Sequence, residues 1–136
     1  MALNPHLSDT IANAAAVAIG TLANSGTLAI YQGTQPANAN GSAAGSTLLA
    51  TLTLAASAFG SPNAGVITAA TITSAQAVSA GTAQWFRVFE SDGITALFDG
   101  SIGVTPPGGA NINMAATTIV QGAYVSVSSL TFTVTE

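Results

Sequence analysis

From Thr10 to Phe86 the chain carries no charged side chain, a run of 77 residues, and a second run of 36 extends from Gly100 to Thr135. The whole 136-residue sequence holds six charges: Asp9, Arg87, Glu90, Asp92, Asp99 and Glu136. That is 4%, where about 25% is ordinary. A free-standing domain normally keeps itself in solution with a mixed, charged surface. This chain must use Ser, Thr, Asn and Gln instead, or hide surface in an assembly. Lys and Glu are depleted at protein–protein interfaces. Ordering a long side chain costs up to ~2 kcal/mol, whereas ordering Ala costs almost nothing. A chain built from 28 Ala, 18 Thr, 14 Gly and 13 Ser therefore suits a subunit packed among others better than a merely polar monomer.

The same composition excludes several functions. A nucleic-acid binder neutralises phosphates with a basic stripe, and one Arg with no Lys does not make one. Cys is absent, so disulfides, zinc knuckles, iron–sulfur sites and thiol nucleophiles are ruled out. The single His, His6, excludes a His-rich metal site. The most apolar stretch, residues 11–19, contains Asn13 and is too short for a helical span of ~20 residues. The first residues carry no Lys or Arg to form the basic region of a signal peptide. Synthesis in a cytoplasm, with no membrane, cofactor, metal or nucleic-acid partner, is the expectation.

Length predicts a single domain over residues 1–136. Pro5 disfavours helix at Asn4, so residues 1–6 read as an extended arm. Residues 7–24 read as a helix, capped by Ser8 or Asp9. Its apolar stripe is Leu7, Ile11, Ala14, Ala15, Ala18, Ile19 and Leu22, and Gly26 is a candidate left-handed cap. The period then drops to 2, and residues 27–135 read as a β-rich body. Residues 27–31 form a strand. Residues 32–46 form a loop with no apolar anchor, expected to be exposed and mobile. In residues 47–54, Leu48, Leu52 and Leu54 share one face. Residues 65–73 read as a further strand, with Val66 and Ile72 on one face.

Residues 82–90 are the strongest strand, with Trp85 and Phe89 on one face and Phe86 and Val88 on the other. Such a strand is central, or covered outside by the helix or a partner. Asp92-Gly93 gives a turn into residues 94–99, and weaker strands follow at 112–114 and 117–120. In residues 123–135 the alternation slips at Ser128-Ser129, which marks a β-bulge or a crossing from one sheet to another. About eight short strands after one helix predict a mainly β fold: an antiparallel β-sandwich or jelly-roll-like barrel with one N-terminal α-helix packed on it.

Chemistry is sparse. Glu90, Asp92 and Asp99 share one hairpin, where paired carboxylates can act as acid and base or bind Ca²⁺. No EF-hand pattern is present, and turn geometry already accounts for Asp92-Gly93. With a two-residue loop Arg87 faces Phe98, a cation–π contact. With a three-residue loop it faces Asp99, an ion pair. Ser and Thr nucleophiles have only His6 as a possible base. There is no G-x-S-x-G elbow, Walker loop or dinucleotide motif. Pro106-Pro107-Gly108-Gly109 reads as a turn. An enzyme is not expected. Tyr31 and Trp85 are recognition anchors by residue type, with core packing the competing role for Trp85. The candidate interface residues are Leu3, Pro5, His6, Leu7, Tyr31, Trp85 and Arg87.

The segment GTLAIYQGTQP at 26–36, with LLA at 48–50, Ala58-Phe59, WFRV at 85–88, Asp92-Gly93 and DGSIG at 99–103, resembles a group of small structural proteins of tailed bacteriophages. The resemblance runs from the N-terminal helix to the last Ser/Thr/Val strand and carries no catalytic motif. It implies a virion component made in the host bacterial cytoplasm. The role that fits is a capsid decoration, or cement, protein on the virion surface. Its partner would be the major capsid protein, and it would form a homo-oligomer, dimer or trimer, about a symmetry axis. The alternative is a tail or fibre module whose loop 32–46 binds a host receptor.

Overall fold

The computed structural model describes residues 6–104 and 109–134. One helix, α1 (Asp9–Leu22), precedes a β-rich body. Its strands are β1 (Thr27–Gln32), β2 (Thr47–Thr53), β3 (Val66–Thr68), β4 (Ala75–Gln76), β5 (Gly81–Thr82) and β6 (Trp85–Phe89). They continue with β7 (Ala96–Val104), β8 (Ile112–Met114), β9 (Thr118–Ile119), β10 (Tyr124–Val125) and β11 (Ser129–Thr133). Seven of them make one sheet, ordered β2-β1-β6-β7-β8-β11-β3, while β10-β4 and β5-β9 form two small ribbons. The fold is mainly β with one N-terminal helix, as the periodicity predicts. The sheet is mixed where an antiparallel one is expected, because β8 runs parallel to β7.

One face of the sheet supplies Leu28, Ile30, Leu52, Phe86, Val88, Phe98, Ile112 and Leu130 to a single apolar core. Ala77, Ala83, Ile119 and Val125, from the ribbons and the residues beside them, close that core from the other side. The result is two unequal layers in a sandwich-like arrangement. Strand β6 is an interior strand, third of the seven and paired with β1 and β7, and its first four residues are buried on both faces. That double burial follows from its unbroken apolar run.

Two slips of alternation have visible causes. Between Ile30 and Tyr31 the β1–β2 register shifts by one residue, so Tyr31 pairs with Leu48 and Ile30 with Ala50. The extra residue of this bulge, Leu49, turns into the core, and Leu48 is left partly exposed. The expectation that Leu48 shares a face with Leu52 and Leu54 is corrected accordingly. At Ser128-Ser129 the chain does change sheets: β10 belongs to a ribbon and β11 to the main sheet. Of residues 65–73, only β3 is strand.

The helix is placed differently from the prediction. Ser8 caps it, its hydroxyl accepting from the Ile11 N–H. The buried residues are Ala12, Ala16 and Gly20, spaced four apart. These small side chains let α1 lie close to the sheet edge at β3. A Cβ on Gly20 would sit 3.3 Å from Cβ of Phe59. Ile11, Leu22 and Leu7 of the expected stripe face outward instead. The left-handed residue after the helix is Ser25, φ 56°, in place of Gly26. Gly26 is required for a different reason: a Cβ there would meet the Phe89 carbonyl oxygen at 2.2 Å and that of Ala23 at 2.8 Å.

Gly26→Ala should therefore destabilise the domain by about 2–3 kcal/mol through forced separation of β1 from β6. Ser25→Gly should be neutral or stabilising by up to ~1 kcal/mol, because it removes left-handed strain. Urea unfolding curves of both variants check this. Equal stability for Gly26→Ala and wild type would refute the close approach.

Candidate functional site

The outer face of the sheet bears the few groups with chemical character. On β1, Ala29 and Tyr31 point away from the core, and Trp85 and Arg87 do so on β6. Arg87 lies opposite Asp99 on β7, the register that a three-residue loop demands, with a further one-residue shift between Val88 and Phe89. The guanidinium forms a fork on the carboxylate: Nε donates to Oδ1 at 2.6 Å and Nη2 to Oδ2 at 2.9 Å. Nη1 donates to the Gly41 carbonyl at 2.9 Å. The same guanidinium stands 5.4 Å from the centroid of the Trp85 ring. Tyr31 stacks on the other side of the cluster, its ring 4.4 Å from Trp85 and tilted by 15°. Trp85 Nε1 donates to the Ser46 hydroxyl at 3.2 Å.

These contacts explain what covers the outer face. Loop 33–46 lies over it and is fastened by polar bonds. Besides the Gly41 and Ser46 links, the Gly33 N–H donates to Gln84 Oε1 at 2.7 Å. Just before the loop, Gln32 Oε1 at the end of β1 accepts from the Thr82 N–H of β5 at 2.6 Å. The sequence offered no apolar anchor for this loop, which led to the expectation of mobility. The anchors are polar and come from distant strands. The cover over Trp85 is thus the chain's own loop, in place of the helix or a partner.

The ion pair is nearly dry, with side-chain exposures of 7% for Arg87 and 3% for Asp99. Charges taken out of water are costly, so a pair like this persists only when geometry and further hydrogen bonds repay the loss. Hydrogen bonding to Asp99 raises the pKa of Arg87 above its already high ordinary value, despite burial. Burial pushes the Tyr31 phenol upward as well; Arg87 opposes that rise and Asp99 adds to it.

Among the candidate interface residues, Trp85 (1% exposed) and Arg87 (5%) are buried within the chain, and Tyr31 is half-buried against them. The contacts of the first two are made inside the chain, with loop 33–46 and Asp99. His6 and Leu7 are exposed. Leu3 and Pro5, and with them nearly all of the expected arm, lie outside the described residues, as do Pro106, Pro107 and Gly108 of the expected turn.

The acidic hairpin is a turn. Asp92 accepts the Ile94 and Thr95 N–H groups on Oδ1, each at 2.8 Å, and the Thr95 hydroxyl on Oδ2 at 2.6 Å. These bonds, the Thr95 hydroxyl foremost, hold its carboxyl below the ordinary range. Gly93 takes φ 71°. No three His, Cys, Asp or Glu residues converge among the described residues. No described helix is long and apolar enough to cross a membrane.

What remains for recognition is exposed apolar surface: Ile94 at the hairpin tip (81% exposed), Tyr124 on a ribbon with Val120 and Val78 beside the ribbons, and Ile11, Val17 and Leu22 on α1. Beside the ribbons lies a shallow hollow of about 270 Å³, lined by Met114, Ile119, Val120, Tyr124 and Val125. The sequence assigned no recognition role to Ile94, Val78, Val120 or Tyr124. Solitary apolar residues in short polar strands carry no periodic signal that separates inward from outward. Comparison with protein-family models, curated proteins and solved structures gave no match.

The buried pair makes a sharp expectation. Arg87→Met alone should cost about 3–5 kcal/mol by stranding the Asp99 charge, whereas Arg87→Met combined with Asp99→Leu should cost clearly less than either single change. Denaturant melts read both, and additive losses would refute a coupled pair. Trp85→Ala should cost about 3–5 kcal/mol. The raised Tyr31 pKa has a definite sign. The folded state holds that proton more tightly than the unfolded state, so this contribution is full below about pH 10 and is lost as pH rises through the raised value. Thermal melts between about pH 9 and about pH 11 should fall less steeply for Tyr31→Phe than for wild type.

Proposed function

We propose that this chain is a non-enzymatic virion structural protein of a tailed phage, a decoration or cement protein that binds the assembled shell of the major capsid protein. The observation that carries the reading is how the charge is distributed. The one cation is consumed inside the domain by Asp99, and apart from the acids Asp9, Glu90 and Asp92 the described surface consists of small uncharged residues interrupted by isolated apolar ones. Such a surface loses little side-chain entropy when it is covered and has few charges to desolvate. The sequence resemblance to small phage structural proteins supports the same reading.

The mechanism is binding energy alone. A protein that binds the assembled shell and not its free subunits stabilises the shell by mass action. Many copies, each with a modest contact, add up against internal pressure. Copies grouped about a symmetry axis, as a dimer or trimer, would grip several shell subunits at once. The host bacterial cytoplasm is the place of synthesis in this reading, and the capsid surface the final location.

The competing reading, a tail or fibre module binding a host receptor, assigns recognition to loop 32–46. The fastening of that loop by Arg87, Trp85 and Gln84 weighs against it. So does the use of Tyr31, the aromatic beside it, in an internal stack. Cryo-electron microscopy of the particle that carries the chain separates the two. Density repeated at shell symmetry axes supports the decoration role, while density confined to the tail tip refutes it. Removal of residues 1–6 should leave the melting temperature within about 2 °C of wild type, since they precede the Ser8 cap, and should weaken shell binding. Saturation of shells at the wild-type concentration would take the N-terminal segment out of the mechanism.

A further inference from the structure

Three positions in the chain place an Asn or Asp directly before a glycine: Asn40-Gly41, Asp92-Gly93 and Asp99-Gly100. In such a pair the glycine nitrogen can close an imide ring on the preceding side-chain carbonyl, and no Cβ of its own hinders the approach. Asp92 and Asp99 are poor targets. Both are carboxylates with occupied oxygens, Asp92 on the Ile94 and Thr95 groups and Asp99 in the Arg87 fork. Asn40 is exposed, and its carboxamide is neutral. The bond that places it, from its backbone N–H to Asn38 Oδ1 at 2.9 Å, leaves that carboxamide free. Packing also dictates the glycine that follows. A Cβ on Gly41 would stand 2.8 Å from Cβ of Pro36 and 3.2 Å from the Asn38 carbonyl oxygen.

We propose that Asn40-Gly41 is a self-modification site, converted by water alone when loop 33–46 lifts, and that Arg87 is the brake on the reaction. The Gly41 nitrogen attacks Cγ of Asn40. A bond forms between them, the Cγ–Nδ2 bond breaks, and the Gly41 proton leaves with the amide as ammonia. Water then opens the cyclic imide at either carbonyl: its hydroxyl adds to the carbon and its proton returns to the nitrogen. The products are an aspartyl or an isoaspartyl residue, and each adds one negative charge to the loop.

The fold sets the rate. Gly41 is held on both sides. Its N–H donates to the Asn38 carbonyl at 3.0 Å, and its own carbonyl accepts from Arg87 Nη1 at 2.9 Å. The nitrogen must leave that turn to reach Cγ, and the Arg87 bond opposes the movement. Reaction therefore proceeds from molecules with the loop open, a minor population at equilibrium. The two products differ in their effect. The aspartyl residue keeps the original backbone path and the Arg87 anchor. The isoaspartyl residue carries an extra methylene in the backbone between residues 40 and 41, which displaces the Gly41 carbonyl from Arg87. That product loosens the cover over Trp85.

The test needs only the purified chain in mildly alkaline buffer, sampled over weeks and mapped by peptide mass. Conversion should be faster at residue 40 than at any other asparagine. It should run at least about tenfold faster in urea than in the folded chain. Arg87→Met combined with Asp99→Leu should speed it at least about fivefold under folding conditions. Ser46→Ala spares the ion pair and removes the bond to Trp85. It should speed conversion about twofold or more, and it reads the same restraint where the double variant fails to fold. Trp85 is the single tryptophan, so its fluorescence reports the cover. Aged samples enriched in isoaspartate should be quenched more strongly by acrylamide, whereas Asn40→Asp should match wild type. A faster asparagine elsewhere, or an Asn40 that stays intact even in urea, overturns the site. Equal rates in wild type and the variants overturn the brake, and unchanged quenching after conversion overturns the loosening.

Discussion

Arg87 ties three parts of the chain together through one side chain. From the middle of the central strand its guanidinium reaches the neighbouring strand through Asp99, a loop 46 residues away through the Gly41 carbonyl, and the face of Trp85. Each of these satisfies a different part of one planar cation: the fork on the carboxylate, one donor on a carbonyl, and the flat face on an aromatic ring. A lysine supplies a point charge and none of that geometry. The two faces of β6 are consequently sealed by different physics. The inner face is closed by hydrocarbon from Phe86 and Val88 packed among Leu28, Ile30 and Phe98. The outer face is closed by a charged and aromatic cluster under a polar loop.

The economy elsewhere follows from small side chains. Short strands, a helix seated on Ala and Gly, and a sharp turn at Gly26 all depend on backbones coming close together. Close approach makes hydrogen bonding carry much of the specificity. The Gln32 and Gln84 carboxamides, each bonding a distant backbone N–H, take the positional role that long charged side chains have in other domains. At this exposed site each such bond contributes only about 1 kcal/mol. They set position more than they add stability.

Much of this was legible in the residues. The strength and central position of β6 followed from WFRVF, and the change of sheet at Ser128-Ser129 from a break in alternation. Arg87 facing Asp99 was one of two registers that the hairpin allowed. The parallel pairing of β7 with β8 was not legible, because nothing in two short strands fixes their relative direction. Nor was the side of α1 that faces the sheet: the larger apolar residues looked like the buried stripe, yet room at β3 exists only for Ala12, Ala16 and Gly20. Loop 33–46 misled for a related reason. Its anchors are the Gly33 N–H, the Gly41 carbonyl and the Ser46 hydroxyl, whose partners lie 51, 46 and 39 positions along the chain, and local pattern does not register such pairings.

The burial of Arg87 also bears on how the molecule meets proteases. A trypsin-like enzyme cuts after Lys or Arg, and this chain offers one such bond, Arg87–Val88. It lies in the central strand, with both residues buried. Fraying of ends, loops or ribbons exposes nothing that such an enzyme can use. Cleavage must wait until the central strand itself comes out, and its rate then follows the population of largely unfolded molecules. The scarcity of basic residues thus shields the folded chain from such an enzyme as much as its stability does.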